Sequence, residues 1–425
     1  MNVFYFLYNS LWTVAYILLL PFIILGKKDY FSRKFALNLP AWKKGRGRIW
    51  IHALSVGEVI STRPFIQAIK KRFSDRPIVL TVKTFQGMKV AKKELKGEVD
   101  DLFFMPLDYR GAIARIVKAV NPCIFILVET DIWPGLISYL KNRGIKIILV
   151  NGRVSPRTFR GYKRFRFYFK WILNDIDLLL MQSDLDSRRI REIGVSPDKV
   201  MTAGNIKFDR EWVSMDREEH NNWMERLYPG TGSKIFVAGS THEGEDEQVL
   251  RVFKRLVEKH RELVLIIAPR KLDRVDAIES MGQDMGLKII KRTALEKNNR
   301  QVYNCLILDT IGELGRIYGL ASISFVGGSL VPIGGHNLLE PASFGCPVLF
   351  GKHTHNFVLM SELLLEHGGG KRIEDSEDLF RTLNDLLSDP AKADKMGRNA
   401  KNFVEANSGA VNRIIDCIGG DIASN

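Results

Sequence analysis

Cysteine is scarce in this chain: four residues among 425. Cys123, Cys305, Cys346 and Cys417 lie far apart with no C-x-x-C pair. That excludes a disulfide framework and a cysteine metal site, and it fits a reducing compartment. Acidic residues are also short. Asp and Glu number 48 against 63 Lys and Arg, leaving a net charge of +15. Charge of that sign points to an acidic partner: phospholipid, nucleic acid or a phosphorylated substrate. No short-period repeat and no extensive low-complexity tract is present. His242 and Glu243 stand at zinc-ligand spacing with no other pair, so no metal is expected.

Charge is missing altogether from residues 1–26, which are rich in Leu, Ile, Phe, Tyr and Trp. This run is long enough to enter or cross a bilayer, and it is read as a membrane anchor. It lacks a basic stretch before the apolar run and a small-x-small site after it, which argues against a cleaved signal peptide. Residues 27–48 then carry eight basic side chains against one acid, Asp29. The positive-inside rule places this flank, and the body that follows, on the cytoplasmic side of the membrane. A buried N-terminal hairpin is the rival. Asn9 and Ser10 leave room for an interfacial mode.

From Arg48 onward, apolar runs alternate with amphipathic stretches. Strands are expected at 49–54, 78–82, 102–105, 123–128, 146–150, 178–181 and 200–203, then at 235–238, 264–268, 287–290, 306–308, 323–326 and 348–350. Such alternation marks parallel sheets with crossover helices. The polar stretch 209–232 ends in Pro229-Gly230-Thr231-Gly232 and reads as a linker. The expected architecture is α/β: two Rossmann-like doubly wound domains facing a cleft. The boundaries are 27–208 for an N-terminal domain and 233–425 for a C-terminal domain, with a helical tail from about Glu374 that could pack back on either domain. Ligands belong at the carboxyl ends of the strands.

Each candidate motif follows a strand. Phe325 to Gly351 reads as strand, glycine-rich turn, short helix from about His336, and strand. Gly327, Gly328, Gly334 and Gly335 let a ligand approach the backbone, and the helix start can take an anion. Glu340 lies one turn beyond Asn337, where a carboxylate can accept both ribose hydroxyls. A tight strand–helix turn of no special function gives the same pattern. Glu58, in HALSVGE, suits a general base and equally suits a first-turn acid complementing the helix dipole. Glu129 and Asp131, in VETDIWPG, form an acid pair at a strand end or a structural cap. Lys207, in AGNIKFD, can reach a phosphate or stay solvated. In GSTHEGE, Ser240 and Thr241 can hold an anion. Arg270, after IIAP, can grip phosphate. In DTIGEL, Gly312 and Glu313 open a helix. The run Arg157 to Trp171 has six Arg or Lys, seven aromatics and no acid. It suits an anionic membrane surface, with single-stranded nucleic acid or a plain amphipathic helix as rivals.

Taken in order, SVGE, ETDIWP, NGRVS, GNIKFD, STHEGE, APR, DTIGEL and FVGGSLVPIGGHNLLEP closely resemble the 3-deoxy-D-manno-octulosonic acid (Kdo) transferases of lipopolysaccharide synthesis. Those are inverting glycosyltransferases of the GT-B fold. The resemblance implies transfer of Kdo from CMP-Kdo to a lipid A precursor such as lipid IVA, with no metal and no nucleic acid. It makes Glu58 the general base, and Glu129 and Lys207 stabilisers of the transition state. It makes Pro269 and Arg270, Ile311, Gly312 and Glu313, and Asn337, Leu338, Leu339 and Glu340 the CMP-binding segments. This chain departs from the family's usual pattern at Asp131, Gly135, Gly152 and Lys271, which bears on acceptor detail more than on donor binding. Other readings are a GT-B transferase or epimerase using UDP, separable by donor profiling, and a membrane-tethered nucleic-acid-binding protein, separable by salt-dependent oligonucleotide binding.

Overall fold

The computed structural model describes residues 5, 6, 8–14, 34–37, 39, 47–209, 215–227, 232–295 and 302–423. The chain divides into two units, one of residues 1–211 with 407–425, the other of residues 212–406.

The first unit is built on seven parallel strands: β1 (Arg48–Ala53), β2 (Ile78–Val82), β3 (Asp101–Phe104), β4 (Pro122–Val128), β5 (Lys146–Gly152), β6 (Leu178–Met181) and β7 (Val200–Thr202). Their order is β3-β2-β1-β4-β5-β6-β7. Ile51 of β1 lies between Leu80 and Ile126. Alternate residues feed opposite faces. Ile49, Ile51, Ile124 and Ile126 pack under the Val56–Arg72 helix, while Trp50, Phe125, Leu127 and Leu149 pack against Leu136, Leu140, Ile172 and Ile190. Burial on both faces is why these strands read as unbroken apolar runs.

The second unit repeats the plan with β8 (Lys234–Thr241), β9 (Leu263–Pro269), β10 (Ile289–Lys291), β11 (Cys305–Ile307), β12 (Ile323–Val326), β13 (Val348–Gly351) and β14 (Gly370–Ile373). The order is β10-β11-β9-β8-β12-β13-β14, all parallel. The edge strand β14 escaped the sequence reading. Its Gly-Lys-Arg-Ile sequence is only partly buried and carries no apolar run.

Two boundaries differ from those drawn on composition. Within the expected linker 209–232, Arg217–Leu227 is a helix of the second unit. Trp223 and Leu227, four apart on a mostly polar helix, enter that unit's core with Met224 packed beside them, and the Tyr303 hydroxyl donates to the Leu227 carbonyl at 2.6 Å. The C-terminal helix, Ala410–Ala423, which the sequence left free to pack on either domain, belongs to the first unit, so the 233–425 boundary does not hold. Its stripe of Val411, Ile414, Ile415, Ile418 and Ile422 completes one face of the first core, at helical spacing. Asp209 accepts the backbone N–H groups of Gly409, at 2.6 Å, and Val411. Arg413 donates to the Ala203 carbonyl at 2.8 Å.

Most of the expected anchor, most of its basic flank and residues 228–231 lie outside the described residues. Among the described residues, no helix is long and apolar enough to cross a membrane. Residues 8–14 are helical, and the Tyr8 hydroxyl donates to the Asp108 carboxylate at 2.7 Å.

If the last helix is part of the first core, Ile418→Ala should lower the unfolding free energy by about 2–5 kcal/mol. Urea titration followed by tryptophan fluorescence measures this. A surface-like change of less than about 0.5 kcal/mol would detach the helix from that core.

Candidate active site

In each sheet the winding reverses once, between β1 and β4 in the first unit and between β8 and β12 in the second. Loops diverge at such a point, and crevices form at the carboxyl ends of the strands. The candidate acids of the first unit lie there. β1 ends at Ala53, and Glu58 sits in the first turn of the Val56–Arg72 helix. Its Oε2 accepts the Leu54 backbone N–H at 2.5 Å, and the Ser55 hydroxyl donates to Oε1 at 3.3 Å. The residue is 7% exposed. Burial first, and then the charge of Glu129, push its carboxyl from 4.5 up to about 7, against the pull of the Leu54 hydrogen bond.

Glu129 follows β4 with φ +60°, a left-handed conformation that few side-chain-bearing residues adopt. Its N–H donates to the Val150 carbonyl at 2.9 Å, and its carboxylate meets Lys207 Nζ at 3.1 Å. Glu58, Glu129 and Lys207, singled out separately in the sequence, therefore converge at one end of one sheet. Asp131 is placed differently. Its Oδ2 accepts Trp133 Nε1 at 2.7 Å and lies 3.4 Å from His52 Nε2. Burial works to raise its carboxyl, but the His52 hydrogen bond and the nearby positive charge outweigh it and hold it below the usual range. This residue orients the tryptophan at the helix start.

Three buried amides that the sequence reading passed over fix the Lys207 turn. Asn151 Oδ1 accepts the Ile206 N–H at 3.1 Å; Gln182 Nε2 donates to the Asn151 carbonyl at 3.0 Å; Asn205 Nδ2 donates to Gln182 Oε1 at 3.1 Å. Asn205 Oδ1 in turn accepts the Lys207 N–H at 3.0 Å. The available signal was their shared position: each stands at or just beyond the end of a successive strand.

In the second unit the glycine-rich loop after β12 is tied to the loop after β8 by Glu245. This carboxylate, fully buried, accepts four backbone N–H groups: His242 at 3.0 Å, Gly328 at 2.6 Å, Ser329 at 2.9 Å and Leu330 at 2.8 Å. Gly327 is required by the same approach, since a Cβ there would lie 2.5 Å from the Ser240 carbonyl oxygen. His242 and His336 stack across the loops with Nε2 atoms 2.8 Å apart. Burial, the Arg270 charge and His242 push the His336 imidazole down to about 4, so it is neutral at pH 7.

The remaining residues expected to bind CMP follow the carboxyl ends of β9, β11 and β12. Arg270 donates its backbone N–H to the Thr241 carbonyl at 2.9 Å, with its side chain exposed. Pro269 closes β9. Ile311 is 87% exposed and precedes Gly312 at φ +95°. Glu313 accepts the Thr310 hydroxyl at 2.5 Å and pairs with buried Arg292 at 3.4 Å. The helix expected from about His336 begins at Leu339 instead. Gly334 and Gly335 hold positive φ, and Asn337 Oδ1 accepts the Leu339 N–H at 3.2 Å, so the chain enters the helix only there. Leu338 and Leu339 are buried. Glu340 stands in the first turn. Among the described residues, no group of three or more His, Cys, Asp or Glu is arranged to hold a metal ion.

Two doubly wound parallel units of this kind define the GT-B-like class of α/β proteins. The fold is shared with a UDP-GlcNAc 2-epimerase from Neisseria meningitidis, at TM-score 0.60 and 13% identity over 89% of this chain and 100% of that one. It is shared too with a glycosyltransferase from Rickettsia africae, at TM-score 0.54 and 15% identity over 90% and 100%. Residues 29–210 match the family model described as 3-deoxy-D-manno-octulosonic-acid transferase (kdotransferase). A 3-deoxy-D-manno-octulosonic acid transferase of Haemophilus influenzae is 31% identical over 87% of this chain and 86% of its own length, and one of Rickettsia bellii is 27% identical over 98% and 99%. A bifunctional glycosyltransferase/methyltransferase of Fusobacterium nucleatum is 35% identical over 89% of this chain, which spans 59% of that protein's length. The chain belongs to the Kdo transferase family of glycosyltransferases.

If Glu245 clamps the two loops, Glu245→Ala should lower the unfolding free energy by about 3 kcal/mol or more, because buried N–H groups lose their acceptor. Chemical denaturation followed by circular dichroism checks this. A change below about 1 kcal/mol would show that those N–H groups find other partners.

Proposed function

We propose that this protein transfers Kdo from CMP-Kdo to a lipid A precursor such as lipid IVA, with inversion at the anomeric carbon. The observation that carries the reading is Glu58, a buried carboxylate raised to about 7 beside the Glu129–Lys207 pair. A base with that pKa is half-ionised at neutral pH and matched to proton transfer. Glu58 takes the proton of the acceptor hydroxyl as its oxygen forms the new bond to the anomeric carbon. The bond from that carbon to the phosphate oxygen breaks, and the electron pair leaves with CMP. Lys207 and Glu129 form a preorganised charged pair near the reacting oxygen. In the donor half, Arg270 balances the phosphate, exposed Ile311 offers apolar surface to the base, and Glu340 accepts the ribose hydroxyls. The backbone of Asn337, Leu338 and Leu339 and the Gly312–Glu313 turn complete the CMP site.

The acceptor is a phosphorylated lipid, and the Arg157–Trp171 segment suits its surroundings. Helices Pro156–Arg164 and Arg166–Asn174 turn Tyr162 and Phe169 inward, stacked at 4.0 Å. They leave Phe165 and Phe167 exposed among Arg157, Arg160, Lys163, Arg164 and Lys170. A basic face with protruding aromatics fits the anionic leaflet of the inner membrane, at about 1 kcal/mol per basic residue. With the N-terminal apolar segment it would hold the catalytic body on the cytoplasmic side.

Glu58→Gln should lower turnover by about 10²–10⁴-fold with CMP affinity unchanged. Near-normal turnover would eliminate Glu58 as the base. Because the base must be ionised, kcat/KM of the parent protein should rise through a pH of about 7 and level off above it. The linked effect on stability has the opposite sense. A carboxyl raised in the folded state stabilises fully below its ordinary value of 4.5, and that stabilisation is lost as pH rises through about 7. At pH 8, Glu58→Gln should therefore melt at or above the parent temperature.

A further inference from the structure

The turn that carries Lys207 is gripped at both ends by the last helix of the chain. The chain leaves the first unit after Glu211 and re-enters it at Asn407. The returning segment comes back to the residues that flank Lys207. After the lysine, Asp209 accepts the backbone N–H of Gly409 at 2.6 Å through one oxygen and that of Val411 through the other. It thereby caps the Ala410–Ala423 helix from 200 residues away, and its charge suits that helix's N-terminus. The Ser408 hydroxyl donates to the Phe208 carbonyl at 3.3 Å. Before the lysine, the Ala203 carbonyl accepts Arg413 Nε at 2.8 Å. Gly204, at φ +94°, permits this approach, since a Cβ there would lie 2.7 Å from the Arg413 guanidinium and 3.2 Å from the Ala410 Cβ. Ile206 and Phe208, on either side of Lys207, are buried, and Ile206 shares a core with Ala410, Val411 and Ile414.

This grip bears on what the Lys207 side chain has to do. It is 37% exposed and meets Glu129 at 3.1 Å. A partly exposed ion pair contributes little unless its members are held, because fixing a long side chain costs entropy. Asn151 and Asn205 hold the N–H groups of Ile206 and Lys207. The last helix and the residues before it hold the carbonyls of Ala203 and Phe208 and the side chain of Asp209. We propose that Asp209 and Arg413 are positioning residues for Lys207, fixing its turn so that the ammonium stays against Glu129 during transfer. This rests on the reading of Glu58, Glu129 and Lys207 given above. A loosened turn leaves Glu129 without its cation. The charged groups that act on Glu58 are Glu129 and, less strongly, Asp131, which itself faces His52 and Lys83. An unbalanced Glu129 makes ionisation of Glu58 harder, so the rise of kcat/KM moves to higher pH.

The test uses the full-length protein with Asp209→Ala, Arg413→Met and Arg413→Lys, each alone and combined with Lys207→Met. Kdo transfer from CMP-Kdo is followed across pH, and CMP inhibition is measured alongside. Asp209→Ala and Arg413→Met should each lower kcat about tenfold or more, the scale of a misplaced catalytic group. Both should move the rise of kcat/KM upward in pH. They remove charges of opposite sign, so a direct field effect on Glu58 would move the two profiles in opposite directions. CMP inhibition should stay within about twofold. Arg413→Lys, which keeps a donor for the Ala203 carbonyl, should recover most of the turnover. In the Lys207→Met background neither loss should slow transfer further, because no ammonium is left to place. Parental kcat and pH profile in both variants, or losses that multiply with that of Lys207→Met, would overturn the proposal and leave the helix a purely structural element. Should Asp209→Ala fail to fold, Arg413→Met, a change at an exposed residue, still decides. Parental turnover in Lys207→Met alone would sink the reading of Lys207 itself, and this inference with it.

Discussion

Two carboxylates and one ammonium meet at the end of the first sheet, and their imbalance governs that site. Lys207 lies 3.1 Å from Glu129 and pairs with it. Among the described residues Glu58 has no cation of its own; it has a backbone N–H from Leu54, a distant hydroxyl from Ser55, and little exposure. Desolvation and a like charge both favour the neutral acid. The fold sustains this unfavourable arrangement by over-determining its surroundings. Glu129 is held at positive φ by the Val150 carbonyl, and the Lys207 turn is fixed by Asn151, Gln182 and Asn205. The strained Glu129 backbone and the raised Glu58 carboxyl thus lie at one sheet end, supported by buried hydrogen bonds.

The second unit spends its buried charge differently. Glu245 is saturated by four backbone N–H groups and therefore joins loops rather than reacting. Around it the loops carry the exposed Arg270 and Lys271 and the exposed Ile311. A saturated carboxylate there contrasts with the raised carboxyl of Glu58 in the first unit.

Much of this was legible in the sequence. Parallel strands buried on both faces cannot hide, and the runs around Ile49, Ile124, Ile148, Ile235 and Ile266 marked both sheets. β14 was hidden because Lys371 and Arg372 interrupt it. The stripe of Ile414, Ile418 and Ile422 marked a helix, but an apolar stripe does not encode which sheet it will cover. The helix bearing Trp223 and Leu227 was masked by its polar remainder. At the site, Glu58 and Glu129 stood out as acids directly after apolar strands. Glu245 and the three amides did not, because their meaning lies in backbone groups far away in sequence, such as Gly328, 83 residues on from Glu245. Resemblance supplied the donor and acceptor. Physical reading of the residues alone left Glu58 divided between a base and a helix-start acid.

The central claim is transfer of an acidic eight-carbon sugar to a lipid acceptor, and it is tested most directly on the product. The purified protein is incubated with CMP-Kdo and lipid IVA, and the lipid is examined by mass spectrometry. The account predicts lipid heavier by one or more Kdo residues, formed only when both substrates are present, with CMP released in equal number. Unmodified lipid IVA in the presence of intact CMP-Kdo and folded protein would contradict it.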